Sequence, residues 1–137
     1  MKIIVFVVSI CHFCYSQTNN NTYLYFDKLS GKTYTVEING KKENEKFYSK
    51  GVKRNGDITF HIGKEMFLFL RNKNKVDSCK IEHLKSIKLS DVDNLVKVVN
   101  KINPLYPHKV FPNLFLVEKL NDSIVLKYKV KWEYYIE

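Results

Sequence analysis

The sequence predicts a single α+β domain, in which an antiparallel sheet of about six or seven strands has one main helix packed on it. The first supporting observation is that residues 124–137 alternate between apolar and mostly charged side chains with a period of two. This period is typical of a strand with one buried face. Residues 90–102 place apolar side chains at helical spacing. Turn signals separate short β-rich segments between residues 22 and 75.

Residues 1–16 contain one early cation, an apolar run and a small residue, Ser16, at the end. They resemble a bacterial secretory signal peptide that is cut after Ser16. A membrane-spanning helix needs about 20 apolar residues, and this run is about half as long. We therefore expect a protein exported to the periplasm or the extracellular medium. Residues 17–137 would form one domain without a transmembrane segment.

The expected mature chain is basic and has one cysteine. Removal of Lys2 with the leader lowers the formal charge from +9 to +8. Such a charge attracts anionic lipid, acidic polysaccharide or nucleic acid, of which nucleic acid is the least expected partner. It is spread along the chain without a block of like charges, so it could also serve only to keep the protein soluble. Cys79 is then the sole cysteine, so the domain contains no internal disulfide.

The first half of the domain is predicted to consist of short strands joined by tight turns. Strand patterns cover residues 23–26, 32–38 and 57–62. Asn39-Gly40 and Gly63-Lys64 fit two-residue hairpin turns. Residues 41–46 are polar, so either the return strand starts near residue 46 or an exposed ribbon projects from the sheet. Residues 65–71 include a continuous apolar run, which predicts a central strand with both faces covered.

The second half contains the helix. Residues 76–89 fit either a helix or a strand, and both remain open. Ser90 can cap the predicted helix 90–102, Asp91 and Asp93 suit its first turn, and Pro104 ends it. Residues 103–113 contain three prolines and predict an extended crossing segment. The apolar stripe of the helix consists of Val92, Leu95, Val96, Val99 and Ile102.

The chain is predicted to end in an antiparallel hairpin. Residues 114–120 form its first strand, and Asn121-Asp122-Ser123 turn into the last one. A two-residue loop would put Phe115 and Val117 on the face of Tyr128. A three-residue loop would put Leu114 and Leu116 there instead.

Cys79 and His83 are the candidates for catalysis. On a helix they would share one face, close enough to bind a metal or to activate the thiol. A metal site needs three or four ligands, and a catalytic cysteine needs a third orienting group. Asp77 and Glu82 lie nearby in the sequence, but neither the helix nor the exposure of these side chains is established, so we assign no catalytic residue and expect no metal or cofactor. Cys79 fits equally a buried small hydrophobe or an exposed thiol.

The candidate binding residues are Lys127, Lys129, Lys131 and Tyr135 on the wet face of the last strand, together with Tyr106 in the proline segment. Lysines spaced about 7 Å apart on one face can meet a row of anionic groups. The same lysines could serve only to keep an edge strand soluble.

The sequence is compatible with three functions. The first is an exported, non-catalytic protein that binds another protein or an anionic polymer or lipid through its basic surface. The second is a small thiol-dependent enzyme or hydrolase built around Cys79 and His83. The third is an inhibitor or immunity-type protein that binds one enzyme. The absence of a phosphate loop and of a serine nucleophile elbow favours the non-catalytic function.

Overall fold

The computed structural model describes residues 20–26, 34–43 and 54–134. The predicted signal peptide and Tyr135 lie outside these ranges. The elements in chain order are β1 (Thr22–Phe26), β2 (Tyr34–Ile38), β3 (Lys41–Lys42), β4 (Ile58–Ile62), β5 (Glu65–Phe69), β6 (Asp77–Lys80), a 3₁₀ helix (Ile81–Ser86), β7 (Leu89–Ser90), α1 (Val92–Ile102), α2 (Pro107–Val110), β8 (Leu114–Lys119) and β9 (Ile124–Glu133).

Across the described ranges, nine strands form one mixed sheet in the order β3-β2-β4-β5-β9-β8-β1-β7, and β6 pairs with β9 outside this path. The prediction of a sheet-rich α+β domain is confirmed, but six or seven strands and a wholly antiparallel sheet are wrong. β1 runs parallel to both β7 and β8. The alternation of side chains shows which face is buried but not the direction of the neighbouring strand. β3, β6 and β7 are short and lack an apolar alternation, so local pattern left the return strand after Asn39-Gly40 and the structure of residues 76–89 open.

The long strand β9 organises the sheet, as its pattern predicts. Tyr128 and Trp132 are buried, whereas Lys129 between them is exposed. Near its start the pattern fails, because Val125 is fully buried and Ile124 is 37% exposed. Val125 pairs with Cys79 of β6, and its side chain lies on the face of the sheet opposite to that of Tyr128. β9 therefore begins with both faces partly covered.

The sheet curves around a core of aromatic side chains. The rings of Phe26 in β1 and Phe60 in β4 lie 5.4 Å apart. These strands are four positions apart in the sheet order, and four spacings of about 4.8 Å would separate them by roughly 19 Å if the sheet were flat. Tyr128 of β9 packs in the same core, with its ring centre 4.9 Å from that of Phe60 and 5.2 Å from that of Phe69. The curvature therefore encloses the largest side chains of β1, β4, β5 and β9.

Helix α1 packs on this core with one face, but its cap differs from the prediction. It begins at Val92, and the side chain of Asp91 accepts a hydrogen bond from the Asp93 amide at 2.7 Å. Ser90 belongs to β7 and does not cap the helix. Ile102, predicted to be part of the apolar stripe, is 41% exposed because it lies in the last turn, beyond the packed part of the helix. The buried positions of α1 are Val92, Leu95 and Val99.

The segment 103–113 is not wholly extended, because it contains the short helix α2. Pro107 occupies its first position, where a missing amide hydrogen costs nothing and the fixed φ angle suits a helix. The 76–89 segment is mixed: a strand, a 3₁₀ helix and a second short strand follow one another.

The hairpin turns follow the sequence closely. Asn39 and Gly40 have φ angles of 51° and 80°, as a type I′ turn requires, and β3 begins directly after them with two exposed lysines. In the C-terminal hairpin Leu116 lies opposite Tyr128 and Leu114 opposite Val130. The three-residue loop is therefore the correct alternative.

Candidate binding cleft

A cleft lies beside β9, between the part of this strand that pairs with β5 and the part that pairs with β6. β5 pairs with residues 131–133 of β9, and β6 pairs with residues 124–127. The intervening residues 70–76 leave the strand in a turn, in which the Leu70 carbonyl accepts hydrogen bonds from the amides of Lys73 and Asn74, both at 3.1 Å. Helix α2 and the residues that follow it cover this region from the other side.

We call this cavity of about 310 Å³ the fork cleft. Its size lies at the lower end of the range for small-molecule sites. Half of its lining is apolar and half is polar. The apolar residues are Leu68, Leu70, Phe111, Pro112 and Val130, and the polar residues are Lys73, Asn74, His108, Lys129 and Lys131.

The lysines give the fork cleft a positive potential. Lys131 is partly neutralised, because its ammonium lies 3.0 Å from a carboxylate oxygen of Glu133. Within the described ranges, no carboxylate lies within 4.0 Å of the ammonium groups of Lys73 and Lys129. A cation next to apolar walls is less screened by water than one on an open surface, so an anion placed here would be attracted more strongly.

His108 lines the cleft, and its Nδ1 atom is buried without a hydrogen-bond partner among the described residues. A buried polar group without a partner costs free energy. Because Nδ1 has almost no surface open to the cleft, it does not indicate which ligand binds there.

The structure separates the predicted row of lysines into two groups. Lys129 and Lys131 line the fork cleft. Lys127 does not, because its ammonium lies 3.4 Å from Asp77 and 5.9 Å from the centre of the Tyr23 ring. Its side chain is only 13% exposed, so the three lysines do not form one continuous ladder.

Tyr106 lies outside the cleft lining, although it caps the helix that contributes His108. Its ring is 47% exposed and lies 4.6 Å below the ammonium group of Lys109. Tyr135, the remaining predicted binding residue, lies outside the described residues, so its role stays a prediction.

Cys79 and His83 occupy different elements. Cys79 is a half-buried residue of strand β6, and His83 is an exposed residue of the 3₁₀ helix that follows. The helical pairing that would bring them onto one face is not formed. In the part of the chain that the structure describes, no three histidine, cysteine or carboxylate side chains are grouped closely enough to hold a metal.

A buried ionic network lies inside the curved sheet, and no local sequence pattern predicts it. Arg54 is 6% exposed, and its guanidinium donates to Glu43 at 2.8 Å, to Glu118 at 3.1 Å and to the Tyr128 hydroxyl at 3.1 Å. Burial lowers the pKa of Arg54, but the hydrogen bonds to Glu43 and Glu118 outweigh it and raise the pKa above its ordinary value. Burial raises the pKa of the Tyr128 phenol, and the charge of Arg54 opposes the shift only in part. Because these side chains are enclosed in the core, the network holds β8 and β9 to the segments of Arg54 and Glu43 and does not present a site to ligands.

The polar residues of the fork cleft were also largely missed. Residues 72–75 and His108 lie in segments whose local sequence carries no mark of a binding site. The pairing of β5 and β6 with β9 brings these segments together across about 35 residues of chain, a contact that no local pattern encodes.

No protein-family model matches the chain, and no curated protein or solved structure is significantly similar to it. None of the helices in the described ranges is both long enough and apolar enough to cross a bilayer.

Proposed function

We propose that this protein is an exported, non-catalytic binding protein that recognises an anionic group of its partner in the fork cleft. One observation supports this most directly: three lysines line the same cavity, and neither Lys73 nor Lys129 has a carboxylate partner among the described residues. Lysines that serve only to keep a strand soluble need no cavity beside them.

The rival functions have less support in the described residues. A thiol-dependent enzyme requires Cys79 to lie beside a base and a third orienting group. An inhibitor or immunity-type protein requires a surface that matches one enzyme, and no feature of the sheet points to such a partner. The fork cleft brings positive charge and apolar walls together in one place, a combination typical of small binding sites.

Single lysine substitutions test the proposal. Lys73→Gln and Lys129→Gln each remove one cation from the cleft. Lys97→Gln is the matched control, because Lys97 is an exposed lysine of α1 outside the cleft lining. The probes are a short sulfated oligosaccharide and vesicles of phosphatidylglycerol, whose affinities for the 17–137 chain are measured by calorimetry and by sedimentation.

Each cleft variant should lose about 1 kcal/mol of binding free energy, about fivefold in affinity, as one cation near an anionic surface contributes. Wild-type binding should weaken steeply as salt is raised from low to high concentration. Equal losses in Lys97→Gln would mean that net charge, and not the cleft, determines binding. Binding that is indifferent to salt would refute the electrostatic proposal altogether.

A further inference from the structure

We infer that the ligand of the fork cleft is a small amphipathic oxyanion: one anionic head group joined to a short apolar body. This inference rests on the proposed function and narrows it from anionic partners in general to one chemical class. It follows from the way in which polar and apolar residues share the cavity.

The head group is defined by the polar half of the lining. Lys73 and Lys129 supply cations, and neither has a carboxylate partner among the described residues. The lining includes no arginine, so no planar fork imposes a bidentate geometry on the anion. Two point charges suit one carboxylate or phosphate head group in any orientation.

The body is defined by the apolar half. Phe111 forms a rigid part of the wall, because its ring stacks on buried Trp132 with the ring centres 6.1 Å apart and an angle of 18° between the planes. Leu68 and Leu70 extend this wall from β5 and the turn that follows it. Burying these surfaces under an apolar group removes them from water, which a purely ionic ligand would not do.

The volume of the cleft limits how much of a ligand it can cover. About 310 Å³ accommodates one head group and a short apolar body, and the open side of the cleft leaves the rest of a longer ligand in solvent. A medium-chain carboxylate and a short alkyl phosphate share the required chemistry.

The test is a titration of the 17–137 chain with four probes: octanoate, octyl phosphate, octan-1-ol and acetate. The probes that form micelles are used below their critical micelle concentrations. Binding is followed by the amide shifts of Phe111 and Val130 in heteronuclear spectra. Octanoate or octyl phosphate should bind at least about tenfold more tightly than both octanol and acetate, because only they combine charge with buried apolar surface. The stronger of the two oxyanions identifies the head group.

Two variants locate the interaction without disturbing the core. Leu70→Ser should weaken binding of the preferred oxyanion roughly threefold to tenfold, since it removes part of the apolar wall. Leu105→Ser is the matched control, because Leu105 is 58% exposed and lies outside the cleft lining, and it should change nothing. Circular dichroism of both variants confirms that they are folded.

The results separate this inference from the proposed function. The inference is overturned if octanol binds as tightly as the oxyanions, because the anionic head group is then irrelevant. It is also overturned if acetate binds as tightly, because the apolar body is then irrelevant. If none of the four probes binds while the sulfated oligosaccharide binds through Lys73 and Lys129, the inference is wrong and the proposed function stands. If none of these compounds nor anionic vesicles bind, both are wrong.

Discussion

Replacing Arg54 by methionine should destabilise the protein more than most single substitutions do. The guanidinium is enclosed with the carboxylates of Glu43 and Glu118, and it donates hydrogen bonds to both and to the Tyr128 hydroxyl. Methionine keeps the apolar stem but leaves two carboxylates in the core without this cation. Removing one partner from a buried ion pair costs about 3–5 kcal/mol, and we expect a loss in this range. Typical domains have a total stability of only about 5–15 kcal/mol, so the effect is large.

The assay is urea unfolding of the 17–137 chain at neutral pH, followed by far-ultraviolet circular dichroism. Lys97→Met is the matched control, and its free energy of unfolding should stay within about 0.5 kcal/mol of the wild type. Arg54→Lys, which keeps a charge but loses the planar fork, should fall between the two and remains measurable if Arg54→Met does not fold.

A double variant distinguishes electrostatics from packing. Arg54→Met combined with Glu118→Gln removes one of the two carboxylates that the single variant leaves behind. The double variant should therefore be no less stable than Arg54→Met alone, with a coupling of about 1–3 kcal/mol between the sites. A loss below about 1 kcal/mol in Arg54→Met, or additive losses in the double variant, would refute this explanation of the network.

Two further predictions concern single residues of β9 and β6. Burial raises the pKa of Tyr128, so the folded state holds its phenolic proton at pH values where the unfolded chain has lost it. The stabilisation is complete below about pH 10 and is lost as the pH rises further. Above that pH, the free energy of unfolding of the wild type should therefore fall relative to that of Tyr128→Phe. If the two free energies changed with pH in parallel, the raised pKa of Tyr128 would be wrong. Cys79→Ala should leave the binding free energy for the sulfated oligosaccharide within about 0.5 kcal/mol of the wild-type value, because β6 lies outside the lining of the fork cleft. A loss of binding would show that Cys79 contributes to the site.

Much of the fold could be predicted because it depends on local patterns. The alternation around Tyr128 and Trp132 correctly identified the buried face of β9. Asn39-Gly40 predicted a hairpin because few other residue pairs tolerate two positive φ angles. Helix α1 was found within two residues of its start, and the wrong cap residue reflects two adjacent polar residues, Ser90 and Asp91, that are both able to accept the hydrogen bond.

The parts that could not be predicted depend on contacts between distant segments. Nothing in residues 22–26 indicates that β1 inserts between β7 and β8 as a parallel strand. Arg54 reads as an ordinary surface cation until the curved sheet encloses it with Glu118, 64 residues away. The fork cleft has the same origin, since Lys73 and Lys129 become neighbours only after β5 and β6 pair with β9. The exposed strand face of Lys129 and Lys131 could be predicted from their spacing, but the cavity that distinguishes them from Lys127 could not.

The central claim, that the fork cleft recognises an anion, is tested most directly by the side-chain ammonium resonances of the lysines. The short sulfated oligosaccharide is added to the isotopically labelled 17–137 chain, and the shift of each assigned lysine is recorded. The largest changes should occur at Lys73 and Lys129, with little change at Lys97 and at Lys127, which is held by Asp77. Comparable shifts at all exposed lysines, or the largest shift at Lys97, would contradict the claim.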